Sequence, residues 1–246
     1  MRLLFPNTHH LTLATLVCAV LAATLAPAQD PAPKTYLGRE IAQTMHWMGA
    51  SWLIRHKRDQ EEASVEMREQ LMLKPGMVAC DMGSGNGYHT IPMAKAVAPN
   101  GKVFASEIQQ EMLTMLDERA KKEGINNIVP VLGTQTDAKL PDSSCDLILL
   151  VDVYHEFSDP EPMLTAMKKA LKPGGQIVLV EFRAEDESVP IKPEHKMSKE
   201  QIMKEMTANG LRLSRSYDKL PWQHMLWFEA GQADAASINN TPVSKP

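Results

Sequence analysis

An acid and three alternate glycines stand together at Asp81-Met82-Gly83-Ser84-Gly85-Asn86-Gly87. Met77 to Cys80 before them reads as a buried strand, and the stretch from about His89 to Val97 reads as a helix, so the glycines form the turn between the two. Glycine there lets the backbone take φ > 0 and lets a bulky group come close with no Cβ in the way. A second acid, Glu107, ends the run Lys102 to Ser106, 20 residues after Gly87. A carboxylate at a strand end can accept two hydrogen bonds from a ribose diol. Loop and acid together suit a ligand that carries a nucleoside.

Spacing separates two kinds of loop. A dinucleotide fingerprint needs G-x-G-x-x-G, and counted from Gly83 its last position is Tyr88. A nicotinamide oxidoreductase is therefore disfavoured. The pattern present, D-x-G-x-G-x-G, resembles the first motif of the class I S-adenosylmethionine-dependent methyltransferases. Further elements follow in the order of that family: the loop Thr134 to Pro141, the strand and loop Cys145 to Phe157, and the Lys172-Pro173-Gly174-Gly175 turn into a fifth strand. The resemblance covers roughly residues 77 to 183. Leu211 to Tyr217 and Gln223 to Glu229, joined through Pro221-Trp222, resemble the family's closing antiparallel hairpin.

The resemblance implies an α/β fold: a Rossmann-like, seven-stranded, mostly parallel sheet with helices on both faces and a C-terminal antiparallel hairpin. It implies S-adenosyl-L-methionine as cofactor. In its terms Asp81, Gly83, Ser84, Gly85 and Gly87 surround the amino-acid part of the cofactor, Glu107 and Ile108 the ribose, Asp137 and Ala138 the adenine, and Asp152 ends the strand below the transferable methyl. A sulfonium already activates its methyl, so the protein mainly aligns donor and nucleophile and excludes water. A base is needed only if the acceptor atom is protonated. His155 is the expected base, since its ordinary pKa is near neutral, with Tyr154 orienting the methyl or acceptor; a structural His155 is the alternative. The loop is not Asn/Asp-Pro-Pro-Tyr, so the chain resembles the small-molecule branch that includes quinone-biosynthesis enzymes. That implies a small or lipid-like acceptor with an oxygen or carbon nucleophile. A binding protein that keeps the fold without catalysis is the competing possibility.

No metal is expected. Asp152 and Glu181 stand where catechol methyltransferases hold magnesium, but Phe182 replaces the asparagine that follows the second acid. His89, His155 and His195 show no zinc spacing. The net charge of −4, with no basic patch interleaved with aromatic residues, argues against nucleic acid as a partner.

These residues need elements to position them. Residues 1–28, with an uncharged run from Leu11 to Leu25 followed by Ala26-Pro27-Ala28, read as a secretory signal peptide, so the mature protein is expected in the periplasm. The run is shorter than the roughly 20 residues that span a bilayer. Residues 29–36 read as a linker and 37–76 as a helical cap, with Ile41, Met45, Met48 and Trp52 on one apolar face. The core runs over 77–229, with Asp159 capping a helix that starts at Pro160 and Ser198 opening another. Residues 230–246 read as a disordered tail. Cys80 and Cys145 fall inside apolar strands and read as buried thiols.

Overall fold

The computed structural model describes residues 34–231. The stretches read as signal peptide, as linker up to Pro33 and as tail beyond Gly231 lie outside the described residues. Among the described residues, no helix is long and apolar enough to cross a membrane.

The chain opens with β1 (Thr35–Tyr36) and β2 (Arg39–Glu40), an antiparallel pair closed by a two-residue turn. Leu37 and Gly38 both have positive φ, as a primed hairpin turn requires. The helical cap expected from Leu37 is therefore absent over its first half. Its backbone groups bond outside any helix instead: the Ile41 N–H donates across the hairpin to Lys34 O, the Ala42 N–H to His155 O, and the Trp47 N–H to Gln109 Oε1. Only a short 3₁₀ turn, Trp47–Gly49, and α1 (Ala50–Leu53) are helical, and Met48 and Trp52 of the expected apolar face are exposed. α2 (Arg58–Glu62) and α3 (Ser64–Gln70) lead to the sheet.

That sheet takes β3 (Val78–Met82), β4 (Lys102–Glu107), β5 (Ile128–Leu132), β6 (Cys145–Val151), β7 (Leu171–Phe182), β8 (Leu211–Tyr217) and β9 (Gln223–Ala230) in the order β5-β4-β3-β6-β7-β9-β8. The first five are parallel, and β9 runs antiparallel between β7 and β8. The expected architecture is thus present. Between the strands run α4 (Thr90–Val97), α5 (Gln110–Lys122), α6 (Pro160–Ala170) and α7 (Lys199–Ala208).

Both faces of the sheet are buried, so its central strands are apolar without interruption. Side chains alternate between two core layers. Cys80, Met82, Ile148, Leu150, Ile177 and Leu179 pack on one side, and Ala79, Leu147, Leu149, Val178, Val180 and Trp227 on the other. Cys80 and Cys145 are free and buried.

Two local expectations change. The Lys172–Gly175 turn does not precede its strand but forms an irregularity within it: Leu171 pairs with Cys145 and Gln176 with Leu147. The Asp159 side chain does not cap α6; it accepts from Lys34 Nζ and Ser158 Oγ, each at 2.8 Å. Ser198 does cap α7, its Oγ accepting from the Gln201 N–H at 3.1 Å.

Candidate active site

The sheet order reverses at β3, with β4 on one side and β6 on the other. The loops at the carboxyl ends of these strands must diverge there, which opens a crevice. A cleft of about 820 Å³, including its mouth, occupies this position. Its lining is mostly apolar, with Met45, Leu53, Met82, Met112, Val151 and Phe157 among the wall residues.

The glycine loop supplies one wall. Gly83 has φ +68°, and a Cβ there would come within 2.4 Å of Val153. Gly85 has φ +51°, with Leu53 only 2.6 Å from the same hypothetical atom. Both line the cleft, so their bare backbones face any occupant. The Gly83 and Ser84 N–H groups donate to Ser106 O at 2.8 and 3.1 Å, tying the loop to β4. Gly87 packs against Leu116 away from the cleft lining, and the buried Ser84 hydroxyl lies outside it too.

Glu107 ends β4 on the same wall. Its Oε2 accepts from the Gly85 N–H at 3.0 Å, and its Oε1 from the N–H groups of Ile108 and Gln109 at 2.7 and 3.0 Å. Burial raises its pKa, and these backbone donors oppose the rise. A carboxylate offers about four acceptor positions, so three internal bonds leave one for a ligand hydroxyl. Ile108 stands beside it on the lining.

The other predicted positions divide. Asp152 lines the cleft in a left-handed conformation, φ +52°. Its Oδ2 accepts from Gln223 Nε2 at 3.3 Å and lies 3.9 Å from the Arg58 guanidinium, while its buried Oδ1 has no partner. Burial holds its carboxyl well above the usual carboxylate range, and the nearby Glu62 and Glu181 add to this. Asp81 lies beneath the loop and off the lining. It accepts from Thr90 Oγ1 at 2.5 Å, and burial pushes its carboxyl up to about 6.

Asp137 is turned away from the cleft: Lys139 takes both its oxygens, through the backbone N–H and through Nζ, each at 2.8 Å. Ala138 is buried behind it, its carbonyl accepting from Ser106 Oγ. Thr134 and Gln135 line the cleft at this point instead.

The two residues expected to do chemistry are not wall residues. Tyr154 is fully buried with an unpartnered hydroxyl, its ring against Phe157 and under the Arg39 guanidinium. His155 is 1% exposed, and both ring nitrogens are engaged: Nδ1 lies 2.6 Å from Glu181 Oε2 and Nε2 lies 3.1 Å from His195 Nδ1. The intervening 3₁₀ turn, Tyr154–Glu156, swings the next side chain into the cleft, so Glu156 is the wall residue. Burial pushes its carboxyl up to about 7, against the pull of His155. A one-residue difference in a short turn has no periodic signal, so the sequence could nominate the segment but not its inward member.

His155 and His195, scattered in sequence, are brought together with Glu156, whereas the buried His89 lies apart with both ring nitrogens unpartnered. Glu181, the second acid of the magnesium comparison, is committed to the Tyr154 N–H and to His155.

These features fit a nucleoside-bearing ligand. Glu107 keeps an acceptor position, two glycines leave the backbone accessible, and much of the remaining lining is apolar.

Comparison with known proteins agrees with this geometry. A family model described as a methyltransferase domain matches residues 73–232. The demethylmenaquinone methyltransferase of Geobacillus stearothermophilus is 28% identical over 116 residues, which are 47% of this chain and 50% of that protein. The ubiquinone/menaquinone biosynthesis C-methyltransferase UbiE of Hydrogenovibrio crunogenus is 31% identical over 111 residues, 45% of this chain and 44% of that protein. The chain thus spans about half the length of the curated relatives it matches. The crystal structure of a SAM-dependent methyltransferase from Aquifex aeolicus shares the fold with a TM-score of 0.71 and 23% identity, over 75% of this chain and 98% of that one.

Proposed function

The chain belongs to the methyltransferase-domain family, whose class I fold and S-adenosyl-L-methionine cofactor it shares, and from that premise we propose that it moves a methyl group to an oxygen or carbon nucleophile of a small or lipid-like acceptor. The observation that carries this reading is the cleft at the carboxyl ends of β3, β4 and β6, which joins the Glu107 carboxylate and the bare backbones of Gly83 and Gly85 to a mostly apolar lining. When bound, the cofactor supplies a methyl already activated by its sulfonium.

The residues of the chain hold and orient. Glu107 accepts from a ribose hydroxyl while its other bonds keep the glycine loop in register. Gly83 and Gly85 admit close approach, and Asp152 stands on the lining just past the end of β6. Met82, Met112 and Val151 exclude water from the reacting centre. Asp81 acts on the loop from beneath, through Thr90. His155 braces the turn that bears Glu156 and does not meet the acceptor itself. Demethylmenaquinone, the substrate named for one relative, has the aromatic ring and apolar character that such a cleft accommodates, and an acceptor of that kind is our specific choice. Export after loss of residues 1–28 is part of the proposal and rests on the Leu11–Leu25 run and Ala26-Pro27-Ala28.

Calorimetric titration with S-adenosylmethionine and S-adenosylhomocysteine tests the reading. One-to-one binding is expected, and Glu107→Ala should weaken it by about 10–100-fold, the size of a lost charge-assisted hydrogen bond with its partners left buried. Absence of binding by folded protein would favour the noncatalytic alternative. Binding without transfer to any quinol would remove the acceptor choice alone.

A further inference from the structure

Behind the cleft wall, two 3₁₀ turns meet, Tyr154–Glu156 and Pro193–His195. They bring three ligand-type atoms from 40 positions apart to one point. His155 Nε2 lies 3.1 Å from His195 Nδ1, Glu156 Oε1 lies 4.0 Å from the former and 3.9 Å from the latter, and all three fall within 4.8 Å of one another. We infer that His155, Glu156 and His195 form a binding site for a divalent first-row transition metal ion of the zinc class.

Donor chemistry and orientation carry the inference. Two imidazoles and one carboxylate suit zinc and its borderline neighbours. Neighbouring ligand atoms around a tetrahedral zinc are about 3.3 Å apart, given bonds of about 2.0–2.1 Å. The imidazole pair is already close to that separation, and the carboxylate reaches it by closing about 0.6 Å, within the reach of a side-chain rotation.

A carboxylate that orients one of these ligands is present as well. Glu181 is completely buried, and its Oε2 lies 2.6 Å from His155 Nδ1. A carboxylate in that position accepts a hydrogen bond from Nδ1–H and so leaves the Nε2 lone pair facing His195. Metal-ligating histidines are oriented and made more basic by such a carboxylate. The other oxygen, Oε1, is fixed by the Tyr154 N–H at 2.8 Å, so Glu181 is held from both sides. A simple hydrogen bond between the histidines would not call for a carboxylate of the neighbouring residue aimed at the same point.

Placement gives the site a use. Glu156 is a wall residue of the cleft, while His155 and His195 are not among its lining. An ion at Glu156 Oε1 sits at the cleft edge with three protein ligands, the pattern that leaves a coordination position for a substrate oxygen. A hydroxyl bound there loses its proton to solvent more readily, which would prepare a phenolic acceptor as its oxyanion. Only this use rests on the methyltransferase reading; the ion-binding site stands without it.

The test is titration of chelator-treated full-length protein with Zn²⁺ and with Co²⁺, following heat and the visible absorption of cobalt. Wild type should bind one ion with the intense visible bands of low-coordinate cobalt. His195→Ala, at a half-buried position outside the core, should abolish those bands, and Glu156→Gln should weaken binding at least tenfold. Glu181→Gln, which touches no ion, should weaken it about 10–100-fold, as loss of a carboxylate that orients a ligand does. Failure of folded wild type to bind either ion saturably, or cobalt bands unchanged in His195→Ala, overturns the site. S-adenosylmethionine titrated into the same samples reports on the cofactor separately, so loss of cofactor binding with retained cobalt bands would sink the methyltransferase reading and leave the metal site.

Discussion

The cleft wall carrying Gly83, Gly85, Glu107 and Ile108 comes from one continuous stretch, residues 83–108, and its own backbone N–H groups hold it together by donating to Ser106 O and to the Glu107 carboxylate. The facing wall is gathered from Thr44, Met45 and Leu53, from Thr134 and Gln135, and from Glu156 to Ser158. Side-chain hydrogen bonds and ion pairs, some local and some between distant residues, fasten that wall. Gln109 bonds both Met45 O and the Trp47 N–H, Arg39 grips Glu205 at 2.7 and 3.0 Å, and Arg58 pairs with Glu62 while donating to Leu53 O. One wall is rigid because its backbone has nowhere else to go. The other keeps its shape only while several buried charges remain paired. The first should fail when volume is added, and the second when a charge is removed.

The largest effect is expected on the rigid wall. Gly83→Ala puts a Cβ 2.4 Å from Val153 in a left-handed conformation, so the loop must move. Stability should fall by about 3 kcal/mol, and cofactor affinity by at least about 100-fold, because the displaced backbone is itself the binding surface. Denaturant unfolding and calorimetry check the two separately. A mild effect on both would mean that the wall is not rigid.

On the gathered wall, Arg58→Ala leaves the buried Glu62 with Arg55 alone and takes the nearest cation from Asp152. About 3 kcal/mol of destabilisation is expected, typical of breaking a buried ion pair from one side. A urea midpoint close to wild type would show that this wall does not depend on its charges.

Beneath the glycine loop, Asp81 sharpens the comparison through pH. Its carboxyl stands at about 6 in the fold against 3.8 for the ordinary group, raised chiefly by burial. The fold therefore favours the protonated form. The associated stability is complete below about pH 3.8 and is lost as pH rises to about 6, where the gap amounts to at most about 3 kcal/mol. Asp81→Asn keeps an acceptor for Thr90 without the charge, so the variant should gain on wild type across that window. Thermal melts at pH 4 and pH 7 measure the difference, and parallel pH dependence of the two proteins would exclude Asp81 as its source.

The smallest effect is expected at the rim. Trp52 is half exposed, with the Arg55 guanidinium 3.9 Å from its ring centroid. Trp52→Ala should cost no more than about 1 kcal/mol, the range of an exposed cation–π contact, and leave cofactor affinity within twofold. A large loss in cofactor affinity would move Trp52 from the rim into the site.

The same division explains what could be seen in the residues beforehand. The strand, glycine turn and acid of 77–107 are local and periodic, so their spacing carries both the fold and the ligand class. The Ile41, Met45, Met48, Trp52 pattern also had helical spacing, yet the chain is irregular up to His46 and only then makes a 3₁₀ turn and one short helix, because the N–H groups of Ala42 and Trp47 find distant partners. Asp137 has both oxygens bonded to Lys139 two positions on and is not a wall residue, an arrangement that residue type and loop position do not reveal. The meeting of His155 with His195 depends on two turns 40 positions apart, a distance that no motif spans. Local backbone chemistry is legible, and competition among distant partners is not.

The position of β9 bears on how the molecule comes into being. It follows β8 in the chain yet lies between β7 and β8, and it brings Met225, Leu226, Trp227 and Phe228 into the core. Until residues 223–230 leave the ribosome, the edge of β7 has no neighbour and β8 has nothing to pair with. The sheet therefore closes only after almost all of the described chain has been synthesised, and its last-made strand joins partners on both sides at once. A nascent chain of this design lacks its complete sheet for most of its synthesis.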